Sequence, residues 1–206
     1  ERSKAYVSAS YYEVKTSFPG PPAQIQAGTP RNTNSIALPA TLPDGSLNPN
    51  NPFAAEGKAA LINFGFPSAL GSGESDNHNL RIVGGLTGYW GDWGYDTALV
   101  FNHSSLDTRL NGFLNYDRLI DVVTNGTYNF LDPGANSPAL LASLSPQLRK
   151  TSTSDLQQFD FRVNRPLADL GGGALGLAAG IDIRHEEQDD PDLNPGLRAQ
   201  GLGIAH

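Results

Sequence analysis

Side chains able to do chemistry are sparse in this chain and poorly spaced for it. The four histidines, His78, His103, His185 and His206, show no metal-ligand spacing. His185 and Glu186 are neighbours on an alternating stretch, so they point to opposite faces and form no acid–base pair. Residues Gly171-Gly172-Gly173-Ala174-Leu175-Gly176 fit the pattern G-x-G-x-x-G. A dinucleotide site needs a strand before that pattern and a helix after it. Here Pro166 and a short polar link come before and an alternating stretch follows, so a tight turn is expected. Asp189, Asp190, Asp192 and Asn194 make an oxygen-rich run that suggests calcium. The EF-hand spacing fails, because Pro195 stands where glycine is required and Gly201 where the bidentate acid belongs. A solvated acidic loop is the default there and a loose cation site the rival. Cysteine is absent, which removes disulfides, thiolate metal sites and thiol nucleophiles. There is no G-x-S-x-G elbow. No catalytic constellation assembles from these residues. The sequence predicts a protein that is not an enzyme, with no cofactor and with no catalytic, cofactor-binding or metal residue to assign.

The elements that would carry these side chains are strands. Residues 78–107 read as a hairpin. On its first arm Leu80, Ile82, Leu86 and Trp90 share one face, and Arg81, Val83, Thr87 and Tyr89 the other. Gly91 and Asp92 make the turn. On the second arm Trp93, Tyr95, Leu99 and Phe101 share one face, and Asp96, Ala98, Asn102 and Ser104 the other. A period of two with one apolar face marks a half-buried antiparallel strand. The arms exceed the usual soluble strand of about five or six residues and match the roughly ten residues that cross a bilayer at a tilt. Tyr89, Trp90, Trp93 and Tyr95 gather at the turn, as aromatic rings do at a membrane–water interface. A soluble sandwich hairpin with core aromatics accounts for the same pattern.

Three further strands are expected. Residues 4–17 alternate, with Ala5, Val7, Ala9 and Tyr11 opposite Tyr6, Ser8, Ser10 and Tyr12. Phe18-Pro19-Gly20-Pro21-Pro22 should stop that strand, because proline cannot donate to a ladder. A long irregular region should then run from about Pro19 to Asn77, with a turn at Pro43-Asp44-Gly45 and a short strand-like piece at 59–66. A second long segment, 108–151, should hold two short helices. Tyr116, Leu119, Ile120 and Val123 fit one helical face. Ser137-Pro138 followed by 139–144 offers an N-cap, a proline at the first helical position and helix formers. Residues 153–165 and 174–188 complete the strands. Phe159, Phe161 and Val163 lie on one face of the first, with Gln158, Asp160, Arg162 and Asn164 on the other. Leu175, Leu177, Ala179, Ile181 and Ile183 lie on one face of the second, with Asp182, Arg184 and Glu186 among those on the other.

The connections therefore alternate between long and short. A sandwich has no reason to collect every short turn at one end, whereas an outer-membrane barrel has short periplasmic turns and long outer loops. Charges of both signs on the polar faces suit a wet lumen. Composition agrees. No apolar run is long enough for a membrane helix, and a mean hydropathy of −0.33 is compatible with strands of which only alternate residues face lipid. A net charge of −7 argues against a nucleic-acid partner. Methionine is absent, so Glu1 is expected to begin a fragment or a processed product. The fold class expected is all-β: an antiparallel meander of about five long strands, an incomplete segment of a transmembrane β-barrel whose long outer loops carry short helices.

Several stretches, in this order, resemble the TonB-dependent receptors of the Gram-negative outer membrane. They are Asn48-Pro49-Asn50-Asn51-Pro52-Phe53 and the strand beginning Leu80-Arg81 and continuing Val83-Gly84-Gly85-Leu86-Thr87-Gly88. Trp93-Gly94-Tyr95-Asp96 opens the return strand, and Tyr128-Asn129-Phe130-Leu131-Asp132-Pro133 falls in the next loop. The last is Gly172-Gly173-Ala174-Leu175 leading to 178–186. The resemblance implies that 1–206 is a single segment from the middle of such a barrel, without the plug domain, energy-coupling box and remaining strands. It implies a place in the outer membrane and energy-coupled uptake of a scarce nutrient such as a ferric siderophore, a saccharide or a peptide. The partners implied are outer-membrane lipid, a periplasmic energy-coupling protein reached through the missing N-terminal part, and a small-molecule nutrient at the outer loops. Asn102-His103-Ser104 and Asn125-Gly126-Thr127 match a glycosylation acceptor that has no force in that setting. Any ligand would meet the loops, where Tyr116, Tyr128 and Phe130 offer stacking faces, although a loop packing on its own barrel uses the same residues. The rivals are a passive porin-like barrel and a soluble extracellular β-domain that binds carbohydrate.

Overall fold

A two-residue turn at Gly91 and Asp92 joins the two strands at the centre of the sheet. Gly91 has φ 63°. A two-residue hairpin turn opens with positive φ, which glycine adopts without a Cβ clash. The computed structural model describes residues 3–25, 36–193 and 199–200. Its long strands are β1 (Lys4–Ile25), β4 (Phe64–Trp90), β5 (Trp93–Asn111), β7 (Leu148–Leu170) and β8 (Gly173–Asp189). They form one five-stranded sheet in the order β1-β4-β5-β7-β8. The fold is all-β, an antiparallel meander that forms no closed barrel among the described residues. The two-residue strands β2 (Ala37–Leu38) and β3 (Ala60–Leu61) pair with each other, as do β6 (Leu114–Asn115) and β9 (Ala199–Gln200). Two helices lie between β6 and β7: α1 (Tyr116–Thr124) and α2 (Pro138–Leu144).

The meander, its alternating connections and both helices match expectation; the strand bounds do not. β1 does not stop at Phe18 but runs through Pro19, Pro21 and Pro22 to Ile25. It is an edge strand, so amides on its outer side need no partner, and proline is tolerated there. Pro19 and Pro21, two residues apart, put their missing donors on the same side, and the adjacent Pro22 puts its own on the other, so edge position accounts for two of the three at most. The irregular region expected up to Asn77 ends at Phe64, where β4 begins. Residues 71–77 are glycine, serine and charged or amide residues, so they carry no hydrophobic period. Cross-strand polar pairs hold them instead: Asn111 Nδ2 donates to Ser72 Oγ at 2.9 Å, and Arg109 meets Glu74 at 3.8 Å. β5 and β7 likewise extend into the expected second long segment, to Asn111 and from Leu148. The link expected at 166–173 shrinks to the turn Gly171-Gly172, because β7 continues past Pro166 through a bulge between Pro166 and Ala168. The piece expected at 59–66 splits into β3 and the start of β4.

The chain divides into two compact units. The first comprises Glu1–Lys15, Ser75–Asp107 and Thr151–Pro191 and is sheet. The second comprises Thr16–Glu74, Thr108–Lys150 and Asp192–His206 and holds the hydrophobic core. That core is built on Leu119, Val122 and Val123 of α1 and Leu144 of α2, with Phe66, Leu114 and Tyr128. Asn115 caps α1 by accepting from Arg118 N at 3.0 Å. Ser137 caps α2 by accepting from Leu140 N at 3.2 Å, and Pro138 takes the first position, where no donor is needed. Short helices gain little from propensity alone, so their burial against this core is what holds them.

Candidate functional site

The sheet unit presents two chemically opposite faces. Leu80, Ile82 and Phe101 line one shallow concavity with His103, Asp155 and Gln157. This fixes the shared side of β4, β5 and β7. Phe159, Phe161 and Val163 stand on that side directly opposite Ile183, Ile181 and Ala179 of β8. These side chains are not buried: Ile183 is 57% exposed and Ile82 41%. At the turn end of this band Trp90 is 83% exposed, and Arg165 lies over the Trp93 ring at 5.8 Å. Burying a single such side chain is worth about 1.5–3 kcal/mol. A sheet that leaves a whole face of them uncovered presents a surface made for an apolar neighbour.

The other face is polar. Gln158, Asp160 and Arg162 stand opposite Arg184, Asp182 and Gly180. Like charges directly opposite are unfavourable. Gln158 Nε2 relieves the pair of aspartates by donating to Asp182 Oδ2 at 2.6 Å, and Arg162 approaches Asp160 at 4.0 Å. Arg184 pairs with Glu186. His185 faces Gln157 and Glu186 faces Leu156, so the two neighbours do fall on opposite faces.

At the end of the apolar band away from the turns lies a rim of ionisable groups. His103 Nδ1 meets Asp155 Oδ1 at 2.7 Å. Glu13, Asp76 and His78 bring ligand-type atoms within 4.8 Å of one another, a grouping the one-dimensional spacing of the histidines did not reveal. Cross-strand proximity of β1 and β4 creates it. It is built as an ion-pair network. Lys15 Nζ pairs with Glu13 and reaches Asp76 at 3.5 Å, so an ammonium sits where a cation would bind. Both nitrogens of His78 are engaged, Nε2 with Asp76 at 3.1 Å and Nδ1 with the Tyr11 hydroxyl at 2.9 Å.

The other singled-out residues fall as follows. Gly171 to Gly176 form the turn and first residues of the β7–β8 hairpin, with no helix after them, so no dinucleotide cradle exists there. Asp189 ends β8, and Asp190 accepts from Ser152 Oγ at 2.5 Å. Asn194, Pro195, Gly201 and His206 lie outside the described residues. In the second unit Tyr128 is fully buried, while Tyr116 and Phe130 pack against the core, so of the two uses open to these rings the structure shows packing within the loops. Phe64, Phe66, Tyr128 and Phe130 meet mostly edge to face. Burial with no protein acceptor pushes the Tyr128 phenol upward from its ordinary value.

The asparagines of residues 48–53 serve the loop backbone. Asn51 Nδ2 donates to the carbonyls of Leu38, Pro39 and Lys58 at 3.1, 3.1 and 2.8 Å, and its Oδ1 accepts from Phe53 N at 2.8 Å. Asn50 Oδ1 accepts from Phe130 N at 3.0 Å. Asn136 Oδ1 accepts from Asn129 N at 2.9 Å, and its Nδ2 donates back to the Asn129 carbonyl at 3.0 Å. Buried backbone groups in an irregular segment need partners, and amide side chains that both donate and accept supply them.

Comparison with protein-family models, curated proteins and solved structures finds no match to this chain. Fold and surface chemistry define its class as a long-stranded antiparallel meander with one apolar and one charged face.

Proposed function

We propose that this chain is part of an outer-membrane β-barrel, of the kind that takes up scarce nutrients by energy-coupled transport. The observation that carries this reading is the exposed apolar face of the sheet, backed by a face of mixed charge. In a bilayer the first meets acyl chains and the second lines water. The uncovered Trp90 and its neighbour Trp93 sit at headgroup level, where amphipathic rings are favoured. Short turns at one end and the folded loop unit formed by the long connections match the asymmetry of such barrels. The resemblance of the strand and loop stretches to TonB-dependent receptors favours active transport over a passive pore. The nutrient is captured at the loops, and its passage needs no bond made or broken by these residues.

The test is lipid contact. Reconstituted into vesicles of brominated phospholipid, the chain should lose most of its tryptophan fluorescence relative to unbrominated vesicles. A chain that stays monomeric in plain buffer, with tryptophans that bromolipid leaves bright, would sink the membrane reading in favour of a soluble domain. Sequencing the reading frame on both sides separates the transporter from a passive pore. A globular plug upstream supports the first and its absence from a full open frame the second.

A further inference from the structure

We propose that Glu13, Asp76 and His78 form a binding site for a divalent transition-metal ion such as zinc, and that the Lys15 ammonium holds the ion's position until it arrives. The proposal is independent of the membrane reading, because every residue in it belongs to the first unit. Asp76 and His78 are two residues apart on β4, so their side chains share a face, and Glu13 reaches them from the neighbouring β1. Ligand-type atoms of the three lie within 4.8 Å of one another. Tetrahedral zinc, with bonds of about 2.0–2.2 Å, holds its ligand atoms about 3.3 Å apart, so no gap has to close by more than about 1.5 Å. The side chains are free to make that move: Glu13 is 36% exposed, Asp76 32% and His78 33%. The same exposure admits the ion from solvent, and a water completes its fourth position.

A cation of the chain's own already sits at this point. Lys15 Nζ pairs with Glu13 Oε1 and lies 3.5 Å from Asp76 Oδ2, so the position between the carboxylates is reachable and suits positive charge. One ammonium leaves one of the two carboxylate charges uncompensated, whereas a dication offsets both. The Lys15 side chain is 67% exposed, and so loosely held an ion pair yields readily to a competitor. The imidazole selects among dications. Calcium and magnesium take oxygen ligands, while imidazole suits zinc, copper and nickel. Its far nitrogen is supported as in metal sites: the Tyr11 hydroxyl lies 2.9 Å from Nδ1, and the two rings stack at 27°. Donation of Nδ1–H to the phenol oxygen leaves the lone pair on Nε2, which stands 3.1 Å from Asp76 Oδ1. A lone pair and a carboxylate oxygen at that separation repel until a cation lies between them.

Calorimetric titration of the whole chain with zinc, in micelles of non-ionic detergent, tests this. One ion per chain is expected. Glu13→Gln and His78→Gln should each weaken binding at least tenfold, and Tyr11→Phe about tenfold, the scale of losing the group that orients a ligand. Lys15→Gln should instead tighten binding by up to about fivefold, the scale of an exposed ion pair. A mere ion-pair network would not gain affinity for zinc when its lysine is removed. Circular dichroism unchanged in the variants shows that they fold. Cobalt added to the parent gives a reading that needs no variant: an intense visible band marks a tetrahedral site with protein ligands. The weak spectrum of the hydrated ion would overturn the site, as would zinc affinity equal in His78→Gln and the parent. Calcium bound as tightly as zinc would overturn it too, in favour of an unselective acidic surface. Affinity unchanged in Lys15→Gln would overturn the exchange between ammonium and metal.

Discussion

At the scale of single residues, the sheet is fitted together by aromatic rings over glycines. A Cβ on Gly85 would collide with the Tyr6 ring, and one on Gly73 with Phe18. Ring and glycine face each other across β1 and β4, the device by which an aromatic side chain covers a strand glycine. Gly85→Ala should destabilise the chain by no more than about 1 kcal/mol, because the ring tip it meets ends a half-exposed side chain that can swing aside, read as a lower urea midpoint in detergent micelles. Combined with Tyr6→Ala it should cost clearly less than the two losses added, since the collision is then gone; simple additivity would show that the contact does not exist. Tyr128 offers a second test. Burial holds its phenol above the ordinary 10.0. The unfolded chain therefore ionises first, and the loop unit keeps its stability below about pH 10 and loses it as pH rises beyond that value. Alkaline titration followed by phenolate absorbance should show one late-ionising tyrosine, and Tyr128→Phe should remove it. Neither feature was legible in the sequence. Glycine and tyrosine at these positions look like ordinary strand residues until the register sets them side by side.

At the scale of elements, whatever had a local signal was readable. The helical face of Tyr116, Leu119, Ile120 and Val123 located α1, and Ser137-Pro138 with the helix formers after it located α2; Ser137 makes the expected bond, and Asn115 adds a cap to α1 that no expectation named. Ser137→Ala should cost about 1 kcal/mol of loop-unit stability, seen in thermal unfolding by circular dichroism, while Ser137→Asp should preserve it. No loss in the alanine variant would mean that α2 is held by packing only. The apolar period located the hairpin arms near Gly91 and the sheet strands of the first unit. It failed over 67–77, 108–111 and 148–152, where large apolar side chains are single (Leu70, Leu110, Leu148) and set no period. Strand identity there comes from ladder hydrogen bonds to a neighbour, which no single stretch of sequence encodes. Proline misled in the same way at 19–22, because whether it stops a strand depends on the strand's place in the sheet.

At the scale of the whole molecule, the two faces of the sheet make opposite predictions for one substitution. Ile82→Arg puts a charge on the apolar face and should cost about 2–4 kcal/mol for a chain folded in lipid vesicles. Ser104→Arg, on the polar side of β5, should be nearly neutral. If Ile82→Arg instead folds as well as the parent and improves dispersion in plain buffer, the apolar face meets water and no bilayer. The faces themselves were evident from alternation. The carboxylate–histidine rim was not, because it arises only when strands distant in sequence are set in register. The strand count carries a last consequence. Five antiparallel strands leave β1 and β8, the two borders of the sheet, pointing the same way. A closed ring of antiparallel ladders has an even total, so in such a ring the strands between these two borders would be odd in number. Copies of this chain joined border to border in head-to-tail order would set β8 parallel to β1. Parity therefore excludes a closed antiparallel ring made of identical copies joined head to tail, and admits any odd number of other strands between the two borders.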